Sequence, residues 1–189
     1  MINPPTSHYP ILLFNGPSSV GKTTLCKAVQ AVLEWPTIHL EEDKFVYGTV
    51  HPRFLQAVVG EATFERTMLG YYRSLAAFAS AGWGVLADTG LYSPALVETC
   101  ARELAGCTVW MIGLRCGLAE LERREQARAD RPAGLAKSQI DSIHAHVHYD
   151  VEVDTSTQSP QACALEIKAA VEQLGEPTAL RSLTSRSGR

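Results

Sequence analysis

The stretch Gly16-Pro17-Ser18-Ser19-Val20-Gly21-Lys22-Thr23 constrains this chain more than any other. Its spacing is a complete G-x-x-x-x-G-K-T, set between an apolar run, Ile11 to Phe14, and a stretch of helical periodicity. A phosphate-binding loop requires that strand-loop-helix context. Such a loop turns successive backbone N–H groups toward one point, where the helix N-terminus adds partial positive charge, and together they hold nucleotide phosphates. In this reading Lys22 reaches the β and γ phosphates and Thr23 offers its hydroxyl to Mg²⁺. Gly16 and Gly21 are expected to be glycines because a Cβ would keep the backbone away from the phosphates.

Helical and strand patterns alternate along the rest of the chain. Leu25, Val29, Val32 and Leu33 recur at helical spacing until Trp35-Pro36, and a short strand, Thr37 to Leu40, runs into Glu41-Glu42-Asp43. The stretch from Lys44 to Gly60 has no clean period and is expected to be mobile or to face substrate. Phe64, Met68, Tyr71, Tyr72 and Leu75 form the apolar stripe of a helix that Gly82 ends. Gly84 to Asp88 reads as a third strand, and Ser93-Pro94 opens a helix to Leu104. Cys107 to Leu114 is a fourth strand, followed by an arginine-rich helix from about Leu118 to Ala129 that breaks at Pro132 to Gly134. Ser138 is predicted to cap a helix with Ile140, Ile143 and Val147 on one face. Tyr149 to Asp154 alternates as an edge strand, and Gln161 to Leu174 forms a closing helix. Residues 175–189, small, polar and basic without periodicity, are expected to be a disordered tail.

This alternation predicts an α/β fold of three layers, a five-stranded parallel sheet with helices on both faces, as one domain over residues 1–174. Ligands of such sheets bind outside the C-terminal ends of the strands. The phosphate-binding loop, Glu41-Glu42-Asp43 and Asp88-Thr89 are therefore expected to meet in space. A phosphate cradle flanked by two strand-end acids suits phosphoryl transfer, with Asp43 as the base that takes a hydroxyl proton. Glu41 and Glu42 compete for that role on position alone, against a merely solvated acidic turn. Asp88 resembles an acid that holds Mg²⁺ through water, against a plain strand-end cap. Arg128 and Arg131, beside the Pro/Gly break, suit a lid near residues 124–137 that brings guanidinium groups onto the transferring phosphoryl. Arg123 reads as part of a solvated face with Glu120, Glu122 and Glu125.

Other features exclude more than they assign. The net charge is −3 and the basic residues cluster near Arg123 to Arg131, which argues against a nucleic-acid surface. Five cysteines without a C-x-x-C pair suggest reduced thiols in a cytoplasmic protein, with Cys26 assigned to packing. No run approaches membrane-spanning length. His144 and His148 are spaced i, i+4 on the predicted helix but lack a third ligand, so they read as ordinary histidines.

Three stretches together resemble the chloramphenicol phosphotransferase family of small-molecule kinases. They are Asn15 to Thr23, then Gly113-Leu114-Arg115-Cys116 through Arg124, Arg128, Asp130-Arg131, Gly134 and Gln139, then His144 with Tyr149 to Thr155. The resemblance implies a fold like that of nucleotide and shikimate kinases, ATP with Mg²⁺, and γ-phosphoryl transfer to a small-molecule hydroxyl, chloramphenicol or a related antibiotic among the acceptors. It puts the base on Asp43 and the lid arginines on Arg128 and Arg131. Lys22 completes the catalytic set. Nucleotide contacts fall to Gly16, Pro17, Ser18, Ser19, Val20, Gly21, Lys22, Thr23, Thr24, Arg124 and Thr155, and metal contacts to Thr23 and Asp88. The chain departs from the family at Thr89, where a family member carries a second acid, and from Lys44 to Ser80, the stretch expected to hold the acceptor. Two other readings stay open: a nucleoside, nucleotide or metabolite kinase of the same fold, and a regulatory P-loop protein that binds nucleotide without an acceptor.

Overall fold

A computed structural model of the chain describes residues 9–48, 61–127 and 134–184. Arg128, Arg131 and most of the Lys44 to Gly60 stretch lie outside the described residues. The elements are β1 (Ile11–Asn15), α1 (Lys22–Val32), β2 (Thr37–Glu41), a π-helical turn (Lys44–Gly48), α2 (Glu61–Ser80), β3 (Gly84–Thr89), α3 (Pro94–Glu103), β4 (Val109–Arg115), α4 (Leu118–Gln126), α5 (Leu135–Gln139), β5 (Val151–Asp154), α6 (Pro160–Gln173) and α7 (Ala179–Thr184).

All five strands are parallel, in the order β2-β3-β1-β4-β5. The three central strands are continuous apolar runs because both of their faces are covered. Alternate residues of β1 serve opposite layers. Ile11 and Leu13 pack with Met68, Tyr71 and Leu75 of α2 and with Cys100 of α3. Leu12 and Phe14 pack with Leu25 and Val29 of α1, Leu121 of α4 and Ile167 of α6. The edge strand β5 keeps the predicted alternation, with Val151 and Val153 buried and Glu152 exposed. Register brings Asn15, Glu41 and Thr89 to one edge of the sheet: Asn15 aligns with Thr89, and Glu41 with Asp88.

Two expectations are corrected. The helix expected to begin at Ser138 begins instead at Leu135, behind Gly134 in the left-handed conformation (φ 87°), and gives way to turns after Gln139. Its start is fixed by the Glu125 carboxylate of α4, which accepts the Gly134 N–H (2.6 Å) and the Ala136 N–H (2.9 Å). Ser138 lies inside the helix, and its hydroxyl donates to the Leu135 carbonyl at 2.7 Å. The tail expected to be disordered from residue 175 folds back as α7 through Thr184, with Ala179 and Leu180 buried. Asp150 caps it from a distant part of the chain: one carboxylate oxygen accepts the N–H groups of Thr178 (2.8 Å) and Ala179 (3.0 Å), and the other accepts Met111 N–H at 2.9 Å.

Candidate active site

The loop after β1 has the backbone that its sequence requires. Gly21 holds φ 98° as the N-cap of α1, a conformation that L residues rarely adopt. Gly16 is a glycine for a reason other than the one expected: a Cβ there would stand 3.0 Å from the Leu114 carbonyl, so the requirement is close passage against β4. Ser19 takes φ 63°, the one non-glycine with positive φ among the described residues. Such strain collects at ligand clamps. The hydroxyls of Ser18 and Ser19 are buried without a hydrogen-bond partner, and phosphate oxygens are acceptors suited to both. Lys22 Nζ donates to the carbonyls of Gly16 (2.8 Å) and Pro17 (3.1 Å), which stretches the side chain back over the loop.

At the strand tips, Thr23 Oγ1 donates to Asp88 Oδ2 at 2.5 Å, joining α1 to the end of β3. That hydroxyl-carboxylate pair suits Mg²⁺, which takes one or two protein oxygens and fills its octahedron with water and phosphate. Among the described residues no group of three His, Cys, Asp or Glu side chains could hold a metal ion by itself. The three consecutive acids separate physically. Glu41 pairs with Lys44. Glu42 is buried and bonded to Thr89 and Gly90. Asp43 is exposed. Of the three, Asp43 is the one whose side chain is exposed.

On the other side of the loop lies a cavity of about 320 Å³ between Val20, Thr24, Arg124, Gln158, Pro160 and Cys163. Its volume is within the range of small-molecule pockets. Arg124 is fixed at its rim: Nε donates to Glu120 (2.7 Å), Nη1 to the Val20 carbonyl (3.1 Å) and Nη2 to the Thr155 carbonyl (2.7 Å). Thr155 Oγ1 donates to the same Val20 carbonyl at 2.8 Å, so the turn after β5, α4 and the loop meet at one oxygen. The exposed Arg123 is held by both oxygens of Glu120, the solvated pairing expected for it. Cys26 is fully buried, and burial pushes its thiol well above the ordinary range, which suits packing.

Several residues at this edge have no role in the sequence reading. Asn15 donates to the Ile143 carbonyl (2.8 Å) and to the Tyr149 hydroxyl (2.6 Å), and accepts from Leu91 N–H (2.9 Å). Tyr149 in turn meets His144 Nδ1 at 2.6 Å. Since the hydroxyl accepts from Asn15, its own proton goes to Nδ1 and the neutral ring carries hydrogen on Nε2. Burial, aided by Arg115, lowers the His144 pKa to about 4, consistent with an acceptor nitrogen. His144 is thus part of a neutral relay behind the loop, and it sits in a turn, off any helix. Gln139 Oε1 accepts the Ser18 N–H at 2.8 Å. The signal that could have found Asn15 is its place as the last residue of β1, directly before the loop.

The family model for chloramphenicol phosphotransferase-like proteins matches residues 10–172. The chain belongs to that family. Among curated relatives is a Mycobacterium tuberculosis protein provisionally named an O-phosphotransferase, 27% identical over 93% of this chain and 88% of the relative. Among solved structures, the Mycobacterium tuberculosis APS kinase in complex with AMPPNP and APS has a TM-score of 0.69 at 18% identity, over 88% of this chain and 99% of that one. A gluconokinase from Sinorhizobium meliloti has a TM-score of 0.65 at 16% identity, over 88% of this chain and 93% of its own. These likenesses give the fold, and family membership gives the class: a P-loop phosphotransferase of small-molecule kinase type. No helix among the described residues is long and apolar enough to cross a membrane.

Proposed function

We propose that this chloramphenicol phosphotransferase-like protein transfers the γ-phosphoryl of ATP to a hydroxyl of a small metabolite, with Asp43 as the base. The observation that carries the reading is the joining of Thr23 to Asp88 at the edge where the loop lysine and the acids after β2 also lie. The orphan hydroxyls of Ser18 and Ser19, the loop N–H groups and Lys22 would hold the phosphates, and the cavity beside Arg124 and Thr155 would hold the nucleoside. Thr23 and Asp88 would hold Mg²⁺, which would supply neutralisation of phosphate charge. Asp43 accepts the acceptor's hydroxyl proton as the acceptor oxygen forms the new P–O bond, while the bond from the γ phosphorus to the β–γ bridging oxygen breaks and ADP leaves. Arg128 and Arg131 stabilise charge on the transferring group, and closure over the site keeps water from taking the phosphoryl.

A metabolite acceptor is favoured because the solved relatives named above are an APS kinase and a gluconokinase. The family description keeps an antibiotic as the second acceptor class. A panel of sugars, sugar acids, nucleosides and hydroxylated antibiotics, chloramphenicol included, is incubated with the protein, ATP and Mg²⁺. One class should raise ADP formation and yield a phosphate ester visible by ³¹P NMR. ADP formation that no acceptor changes would remove the transferase reading in favour of a nucleotide-binding regulator.

A further inference from the structure

Three side chains tie the tips of β1, β2 and β3 together. Asn15 holds the Leu91 N–H, and the Tyr71 hydroxyl lies 2.9 Å from the Leu40 carbonyl and 3.0 Å from the Asp88 carbonyl. The third is Glu42, only 7% exposed. A single oxygen, Oε2, accepts both the Thr89 hydroxyl (2.6 Å) and the Gly90 N–H (2.7 Å). Burying a carboxyl is costly, and desolvation lifts its pKa to about 7, although the Thr89 and Gly90 bonds and the Lys22 charge pull the other way. A residue that merely filled the end of β2 would be apolar. The charged and titratable groups around Glu42 are Lys22 of the loop, the adjacent Asp43, Tyr71 and Tyr72 of α2, and Cys100 of α3. Its chain neighbour is Asp43, and its partner Thr89 is the chain neighbour of Asp88.

We propose that Glu42 is a positioning residue of the transfer site: its carboxyl holds Thr89-Gly90 against the tip of β2 and so fixes Asp88 relative to Asp43. The inference rests on the transferase reading for its effect on rate, whereas the hold itself is measurable without any acceptor. A misplacement of about 1 Å between reacting groups costs on the order of 10²-fold in rate. Gln at this position keeps a carbonyl oxygen able to accept both donors, whereas Ala keeps none.

The test compares wild type with Glu42→Ala, Glu42→Gln and Thr89→Val, at a temperature where circular dichroism shows each to be folded. Turnover of the acceptor, ATP affinity by calorimetry and hydrogen exchange at the Gly90 amide are measured. Glu42→Ala should lower kcat by about 10²-fold while ATP affinity changes less than about threefold. Gly90 exchange should accelerate by at least about tenfold as its bond is lost. Glu42→Gln should restore kcat to within about tenfold of wild type, and Thr89→Val, with one bond left, should fall between. Wild-type kcat in Glu42→Ala, equal losses of kcat and ATP affinity, or unchanged Gly90 exchange would each overturn the proposal. Should Glu42→Ala not fold, Thr89→Val against Glu42→Gln decides. If wild type turns over no acceptor, the transferase reading fails by itself, and the Gly90 exchange still decides whether Glu42 holds that loop.

Discussion

The Thr23 hydroxyl donates to the Asp88 carboxylate across 2.5 Å, so the first turn of α1 is bonded to the end of a neighbouring strand. In the proposed reading the pair would give Mg²⁺ two protein oxygens, one of them on the residue after Lys22. Asp88→Asn keeps an acceptor for Thr23 but loses the charge. It should therefore fold normally, lower kcat by about 10²-fold, and raise the Mg²⁺ concentration needed for half-maximal turnover. An unchanged Mg²⁺ titration in that variant would return Asp88 to a structural cap.

Asp43 and Lys22 are separable in the same assay. Lys22→Ala would remove the cation proposed to hold the phosphates and should abolish transfer. Asp43→Asn should retain ATP affinity by calorimetry and lose at least about 10²-fold in kcat, the range of one general base. Equal turnover by Asp43→Asn and wild type, with the true acceptor, would remove Asp43 from the mechanism.

Arg128 and Arg131, the proposed lid arginines, make a different prediction. A contact formed chiefly in the transition state affects kcat more than ground-state affinity. Arg131→Ala should thus lower kcat by about 10²-fold and ATP affinity by less than about tenfold. Loss of affinity alone, seen in calorimetry with an unreactive ATP analogue, would make Arg131 a ground-state ligand.

The sheet was legible because its signals are local. Ile11 to Phe14 and Gly84 to Asp88 are apolar runs, and the loop motif fixes which strand end faces the ligand. Residues governed by distant partners were not legible. Nothing in Glu41-Glu42-Asp43 says which acid is buried, since this depends on Thr89 and Gly90 arriving from β3. The start of α5 depends on Glu125, nine residues before Gly134 and beyond a Pro/Gly break. Helix α7 is too short to announce itself by periodicity, and its cap is Asp150.

That cap is testable through stability. Asp150→Ala leaves the N–H groups of Thr178, Ala179 and Met111 without their acceptor. Loss of a cap costs about 1 kcal/mol and an unsatisfied N–H a similar amount, so the variant should be destabilised by ~2 kcal/mol. Urea unfolding followed by circular dichroism would measure it, and a shift within error would show that α7 docks by its apolar contacts alone.

His144 and Glu42 should give opposite slopes of stability against pH. The His144 pKa is lowered from 6.5 to about 4, so between those values the unfolded chain binds more protons, and stability from this group falls as pH drops from 6.5 toward 4. The Glu42 pKa is raised from 4.5 to about 7, so between those values the folded chain binds more protons, and stability from this group rises as pH drops from 7 toward 4.5. Across the shared window the two effects oppose each other in wild type. Removing either one exposes the other: relative to wild type, the Tm of His144→Asn should climb as pH falls through that window, and the Tm of Glu42→Gln should decline. Carboxylates held low by ion pairs, such as Glu120, contribute alike to all three proteins and cancel in the differences. Scanning calorimetry at half-unit pH steps, ~0.5, resolves the slopes. Parallel Tm curves for the three proteins would mean that neither group titrates differently in the folded chain, and would undo both the lowered His144 pKa and the raised Glu42 pKa.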